Sequence, residues 1–90
     1  MRAELICYSL SGLKPSERVA FRRRIYGFND HSNNNKYSYK RTGILNSMPH
    51  KKILDCVLIV KSSDAPKVVK RMRDCKATVH TFQVLTPFKL

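Results

Sequence analysis

Five consecutive apolar residues, Cys56-Val57-Leu58-Ile59-Val60, restrict this 90-residue chain more than any other feature. Successive side chains of a strand point to opposite faces, so an all-apolar run has no face to give to water. It belongs inside a sheet that is covered on both sides. We read it as part of a strand over residues 53–60. A second segment, residues 3–10 (AELICYSL), also lacks a consistently polar face and is the other inner strand, ended by Ser11-Gly12.

Two helix patterns lie between the strands. Pro15 suits a first helical turn, Glu17 suits its positive end, and Gly27 is a stop, which predicts a helix over residues 15–26. Phe21, Ile25 and Phe28 recur at four and three residues and define its buried face, with Val19, Arg22, Arg23 and Tyr26 on the far side. A second helix is capped by Ser62 or Ser63 and has Pro66 in its first turn. Its buried face carries Ala65, Val68, Val69, Met72 and Cys75, and Lys67, Lys70, Arg71 and Asp74 lie away from it.

Two further strands complete the set. Residues 37–45 (YSYKRTGIL) combine strand-forming tyrosines and threonine with lysine and arginine, which suits an edge. Residues 78–85 (TVHTFQVL) form a last strand near an edge, ended by Pro87. Residues 29–36 read as a connecting loop and residues 46–52 as a basic turn around Pro49. The order strand, helix, strand, strand, helix, strand is the split β-α-β pattern of an α+β, ferredoxin-like fold, in which two helices cover one face of an antiparallel sheet. That pattern puts its first and third strands at the centre, and those are the two most apolar runs. We expect one domain spanning residues 1–90.

The element order resembles the small nuclease-like subunit of the CRISPR adaptation complex. That family places an aspartate at the end of the first strand. Here Ser9 stands there, so no nuclease residue carries over. The RNA recognition motif stacks bases on aromatic residues of its two central strands, but residues 56–60 offer none.

Charge points to the partner. Eighteen Lys and Arg against six Asp and Glu give a formal net charge of +12. Self-repulsion on that scale is relieved by a polyanion. Residues 1–28, 29–52 and 53–90 each contribute +4, so the excess belongs to the whole body and not to a tail. Within residues 29–52 bases alternate with tyrosines and asparagines, a combination suited to phosphate contacts and stacking. The expected nucleic-acid-binding residues are Arg22, Arg23, Arg24, Lys36, Tyr37, Tyr39, Lys40, Arg41, His50, Lys51 and Lys52, with Asn33, Asn34 and Asn35 able to reach backbone or base edges. The expected partner is structured or duplex RNA in a ribonucleoprotein such as a ribosome. DNA and an edge-strand dimer through residues 78–85 are alternatives.

Catalytic signals are weak by comparison. The six carboxylates form no paired motif, and Gly12, Gly27 and Gly43 are too scattered for a phosphate-binding loop. A metal-independent ribonuclease using His31 or His50 is the enzymatic alternative to a non-enzymatic binder. Cys7, Cys56 and Cys75 are odd in number, without a C-x-x-C pair, and read as buried reduced thiols. They and His31, His50 and His80 lack zinc-site spacing, so neither metal nor cofactor is expected. Apolar runs are too short to cross a bilayer, and the reading is a cytoplasmic protein without a membrane partner.

Overall fold

The computed structural model of the chain describes residues 2–32, 37–88 and 90, and only the backbone of those between 29 and 39. The elements in order are β1 (Arg2–Ser9), α1 (Pro15–Tyr26), β2 (Phe28–Ser32), β3 (Tyr37–Arg41), a 3-10 turn (Ile44–Ser47), β4 (His50–Leu54), β5 (Val57–Lys61), α2 (Ala65–Asp74) and β6 (Thr78–Leu85). This is an α+β architecture. Four strands form an antiparallel sheet in the order β4-β5-β1-β6, and β2 and β3 pair separately as a two-stranded ribbon.

Register follows from which side chains must leave water. Ile6 is opposite Leu58, Glu4 is opposite Val60 and Tyr8 is opposite Val79, so these residues share one face of the sheet. On that face Ile6, Tyr8, Leu58, Val60 and Val79 close on Phe21 and Ile25 of α1 and on Val68 and Met72 of α2. Ile6, Phe21, Ile25, Leu58 and Met72 are fully buried. Burial of each such side chain contributes on the order of 2 kcal/mol, which is why the helices stay on this face.

The opposite face is covered differently. Ala3 and Ile59 are buried there, outside the helix-facing core. The Lys51 ammonium lies 4.5 Å from the centroid of the Phe88 ring. Lys51 is on β4 and Phe88 follows β6, the strands at opposite edges. The C-terminal segment therefore crosses beneath the sheet from one edge to the other.

Several expectations need correcting. The segment read as one strand over residues 53–60 is broken by a two-residue turn at Asp55-Cys56, where Cys56 has φ 66°. Its first part, with His50–Lys52, is the edge strand β4, so residues 46–52 are not simply a turn. The segment expected as that edge, residues 37–45, instead pairs with Phe28–Ser32 in the ribbon, and part of the expected 29–36 loop is strand. The physical reason is that the turn at Asp55-Cys56 has none of the glycine or asparagine that normally announces positive φ. At the second helix the N-cap is Asp64, not Ser62 or Ser63.

On α1 the termini match the expectation. The Lys14 backbone N–H donates to Glu17 Oε1 at 2.9 Å, and Lys76, just past α2, donates to Glu17 Oε2 at 3.0 Å. Phe28, expected on the helix face, lies in β2 with the Arg23 guanidinium 4.5 Å from its ring centroid. Tyr26, expected on the far side, turns inward and packs against the core. The three cysteines are free and half-buried.

The ribbon joins the body between two glycines. Gly27 ends α1 at φ +83°, and a Cβ there would collide with the Arg41 carbonyl and the Gly43 nitrogen. A Cβ on Gly43 would lie 2.5 Å from the Gly27 nitrogen and the Ile25 carbonyl group. Gly43 is held from the other side by its N–H donating to Asn46 Oδ1 at 2.7 Å. The molecule measures 46 × 30 × 20 Å with a radius of gyration of 14.4 Å. A compact chain of this length would have about 12 Å, so the outline is elongated.

Two predictions follow from this packing. Gly43→Ala should lower unfolding free energy by about 2 kcal/mol or more in denaturant titrations, and Gly12→Ala by about 1 kcal/mol, because Gly12 has positive φ but open space around it. The two hydrogen bonds at Glu17, first from the Lys14 backbone and then from Lys76, hold its carboxyl below the usual carboxylate range. Its contribution is present above the unfolded-state pKa and is lost as pH falls through the lower folded-state value. The melting-temperature gap between wild type and Glu17→Gln should therefore be open at neutral pH and close in acid.

Candidate nucleic-acid interface

Consecutive helical residues are rotated by about 100°, so three adjacent arginines cannot share one surface. Arg22, Arg23 and Arg24 are all exposed and point to three places. Arg22 lines a groove at the end of the main sheet. Arg23 lies over Phe28 at the root of the ribbon. Arg24 faces Asp74, Cys75 and Lys76 at the end of α2.

The groove beside Arg22 has a volume of about 420 Å³ and is lined by Tyr8, Leu10, Arg22, Tyr26, Gly27, Lys52, Asp55 and Cys56. It exists because the Asp55-Cys56 turn, the end of β1 and the last turn of α1 meet there. The Tyr8 and Tyr26 hydroxyls are 2.6 Å apart. The Tyr8 ring rests against Phe21 with centroids 5.0 Å apart, which fixes it in the core. Burial, and then the bond to Tyr26, pushes the Tyr8 hydroxyl well above its ordinary pKa. It stays a neutral hydrogen-bonding group throughout the physiological range.

Lys52 arches over the Tyr26 ring at 5.5 Å and pairs with Asp55 at 3.4 Å. Arg22 and Lys52 therefore flank one concave surface with an aromatic floor. Such a surface can accept a phosphate and a sugar or base edge together. Sequence reasoning included Arg22 and Lys52 but missed Tyr8, Tyr26 and Asp55. No sequence signal marked them, because they meet only through the turn at Asp55-Cys56, which brings these residues to one end of the sheet.

Other expected residues are dispersed. Lys51, adjacent to Lys52, points to the opposite face of the sheet and meets Phe88. His50 is exposed, and its Nδ1 lies 3.1 Å from the Met48 carbonyl oxygen. Lys40 and Arg41 are exposed at the root of the ribbon, in β3. The backbone puts Tyr37 and Tyr39 in β3, opposite Ser32 and Asp30. Their side chains and that of His31, and Asn33, Asn34, Asn35 and Lys36 as a whole, lie outside the described residues.

A second basic groove, about 320 Å³, was not expected. It is lined by Ile44, Lys67, Lys70, Arg71 and Asp74. The i, i+3, i+4 spacing of Lys67, Lys70 and Arg71 was visible as a solvated helix face. What sequence could not show is that Ile44, from the 3-10 turn after the ribbon, comes alongside and makes that face concave.

Among the described residues, no three His, Cys, Asp or Glu side chains cluster to hold a metal ion, and no helix is long and apolar enough to cross a membrane. Comparison with protein-family models, curated proteins and solved structures finds no match.

The Tyr8–Tyr26 pair is directly testable. Tyr26→Phe leaves the buried Tyr8 hydroxyl without this partner and should cost about 1–2 kcal/mol in chemical denaturation. In a spectrophotometric titration of the native wild-type protein, the Tyr8 phenol should resist ionisation in alkali until the chain unfolds, and that resistant phenol should be absent from a folded Tyr8→Phe variant.

Proposed function

We propose that this protein is a non-enzymatic nucleic-acid-binding protein whose partner is folded RNA, as a structural or accessory component of a ribonucleoprotein. The observation that carries the reading is the two-stranded ribbon, Phe28–Ser32 with Tyr37–Arg41, pinned by a glycine contact to the end of a basic helix. An isolated two-stranded ribbon is marginal in water. One rich in Asn, Tyr, Lys and Arg gains stability by lying against a polyanion.

The distribution of charge supports RNA over a straight duplex. Basic residues occur on the ribbon root, in the Arg22–Lys52 groove, along α2 and, through Lys51, on the other face of the sheet. A partner that meets several faces at once must itself be folded. Arg22, Lys36, Lys40, Arg41, Lys51 and Lys52 neutralise phosphates in this reading, with Arg23 and Arg24 at its margins, His50 hydrogen-bonding nearby, and Tyr37 and Tyr39 orienting the ribbon. The ferredoxin-like assignment is supported by the inner positions of β1 and β5 and by a helix following each, with the ribbon as an insertion before β4.

A second reading is duplex DNA, favoured by the same ribbon. The major groove of B-form DNA admits a two-stranded ribbon, whereas that of regular A-form RNA is too deep and narrow. RNA would have to present a widened groove at a bulge or internal loop.

Fluorescence anisotropy against an RNA hairpin with an internal loop, a perfect RNA duplex and a DNA duplex separates these readings. We expect the looped RNA to bind tightest, and affinity to fall by roughly three orders of magnitude between 50 and 200 mM salt if about six phosphates are contacted. Lys36→Ala/Lys40→Ala should reduce the log–log salt slope by about two. A flat salt response would overturn the proposal, and preference for the DNA duplex would select the second reading.

A further inference from the structure

The two edges of the main sheet are built differently. At one edge, β4 (HKKIL) carries two lysines, and its pairing with β5 shifts register between Lys52 and Leu54. Edge lysines and bulges are the ordinary means of preventing a sheet from pairing with another chain. At the other edge, β6 (TVHTFQVL) pairs with β1 through all eight residues without a shift and contains no Lys, Arg, Asp, Glu or Pro. In a chain of net charge +12, that is an eight-residue edge without a charged gatekeeper.

Apart from Val79, which is buried in the core, and the half-buried Val84, the side chains of β6 are exposed on both faces. Phe82, on the face away from the helices, is 57% exposed, and Leu85, on the helix face, is 79% exposed. Among the described residues, no strand pairs with its outer side.

We propose that β6 is a self-association edge whose occupant is the β6 strand of a second copy, paired antiparallel about a two-fold axis perpendicular to the sheet. Such an axis keeps like faces together, so opposing residues must have the same parity. Centring on Phe82 sets Phe82 against its own copy, His80 against Val84, Thr81 against Gln83 and Val79 against Leu85. Both exposed apolar residues then gain cross-strand partners, and no charge is placed opposite a like charge. The two four-stranded sheets become one of eight strands, with both helix layers on the same side. A second copy fits better than a charged partner because β6 has nothing to complement one.

Two cationic protomers repel, so association strengthens as salt rises, opposite in sign to nucleic-acid binding. The two proposals therefore fail independently. The test is sedimentation equilibrium of the full chain at low and high salt, with hydrogen exchange of β6 amides at two concentrations. The expected result is a dimer favoured by high salt, with concentration-dependent protection confined to β6. Phe82→Lys, which sets two lysines opposite each other, should weaken dimerisation by about tenfold or more, and Gln83→Lys should act in the same direction. Ile53→Lys on the opposite edge should leave it unchanged. Circular dichroism confirms that each variant is folded. A monomer at every concentration and salt, or a dimer insensitive to both β6 lysines, overturns the proposal. So does an open-ended polymer, which would mean that β6 pairs with β4 of the next copy.

Discussion

The contact between Gly27 and Gly43 is the constraint on which the ribbon depends. The chain must leave the end of α1, run out through β2, return through β3 and enter the 3-10 turn within one backbone's width of where it left. That is possible only where neither crossing residue has a Cβ, because each would strike the other's backbone. The contact also fixes direction. Asn46 holds Gly43 from the turn side, and Leu45 of the same turn is buried in the core, so the ribbon root is tied to the packed body. A strand pair that would be marginal alone is thereby given a fixed origin and heading.

The same chain path creates the two grooves. By closing the ribbon at Gly43, it delivers Ile44 to the flank of α2, where Lys67, Lys70 and Arg71 already face water. By ending α1 at Gly27, it leaves Tyr26 at the mouth of the sheet, where the Asp55-Cys56 turn brings Lys52 over its ring. The Tyr8–Tyr26 hydroxyl pair joins the central strand to the last turn of the helix at that point. The polar surface and the core are thus connected through one tyrosine pair. A change at Tyr26 reaches both.

Much of the layout was legible because burial leaves periodic traces. The apolar runs in β1 and β5 marked the inner strands, Phe21 and Ile25 the packed face of α1, and Val68 and Met72 that of α2. Pro15 and Gly27 bounded the first helix at its observed ends. What failed was the assignment of the polar middle. A Cys at positive φ gives no turn signal, so residues 53–60 read as one strand, and the edge role of His50–Leu54 passed to residues 37–45. The tyrosines and threonine there do favour a strand, but propensity does not name a strand's partner. The site was legible as composition and not as place. Lys51 and Lys52 are neighbours in sequence on opposite faces of a sheet, and three consecutive arginines diverge around a helix.

The spread of positive charge links the proposed binding to the stability of the fold. Ion pairs such as Lys76 with Glu17 and Lys52 with Asp55 are exposed, and pairs of that kind contribute little. Six carboxylates cannot offset eighteen cations in any case, so the folded state carries substantial self-repulsion. In the proposed function that repulsion bears on the ribbon, whose strands pair only with each other among the described residues. On that proposal, a polyanion laid along the ribbon relieves the repulsion. The body is held by the helix-facing core. The proposed contact surface and the packed core thus lie in different parts of one 90-residue chain, joined where Gly27 meets Gly43.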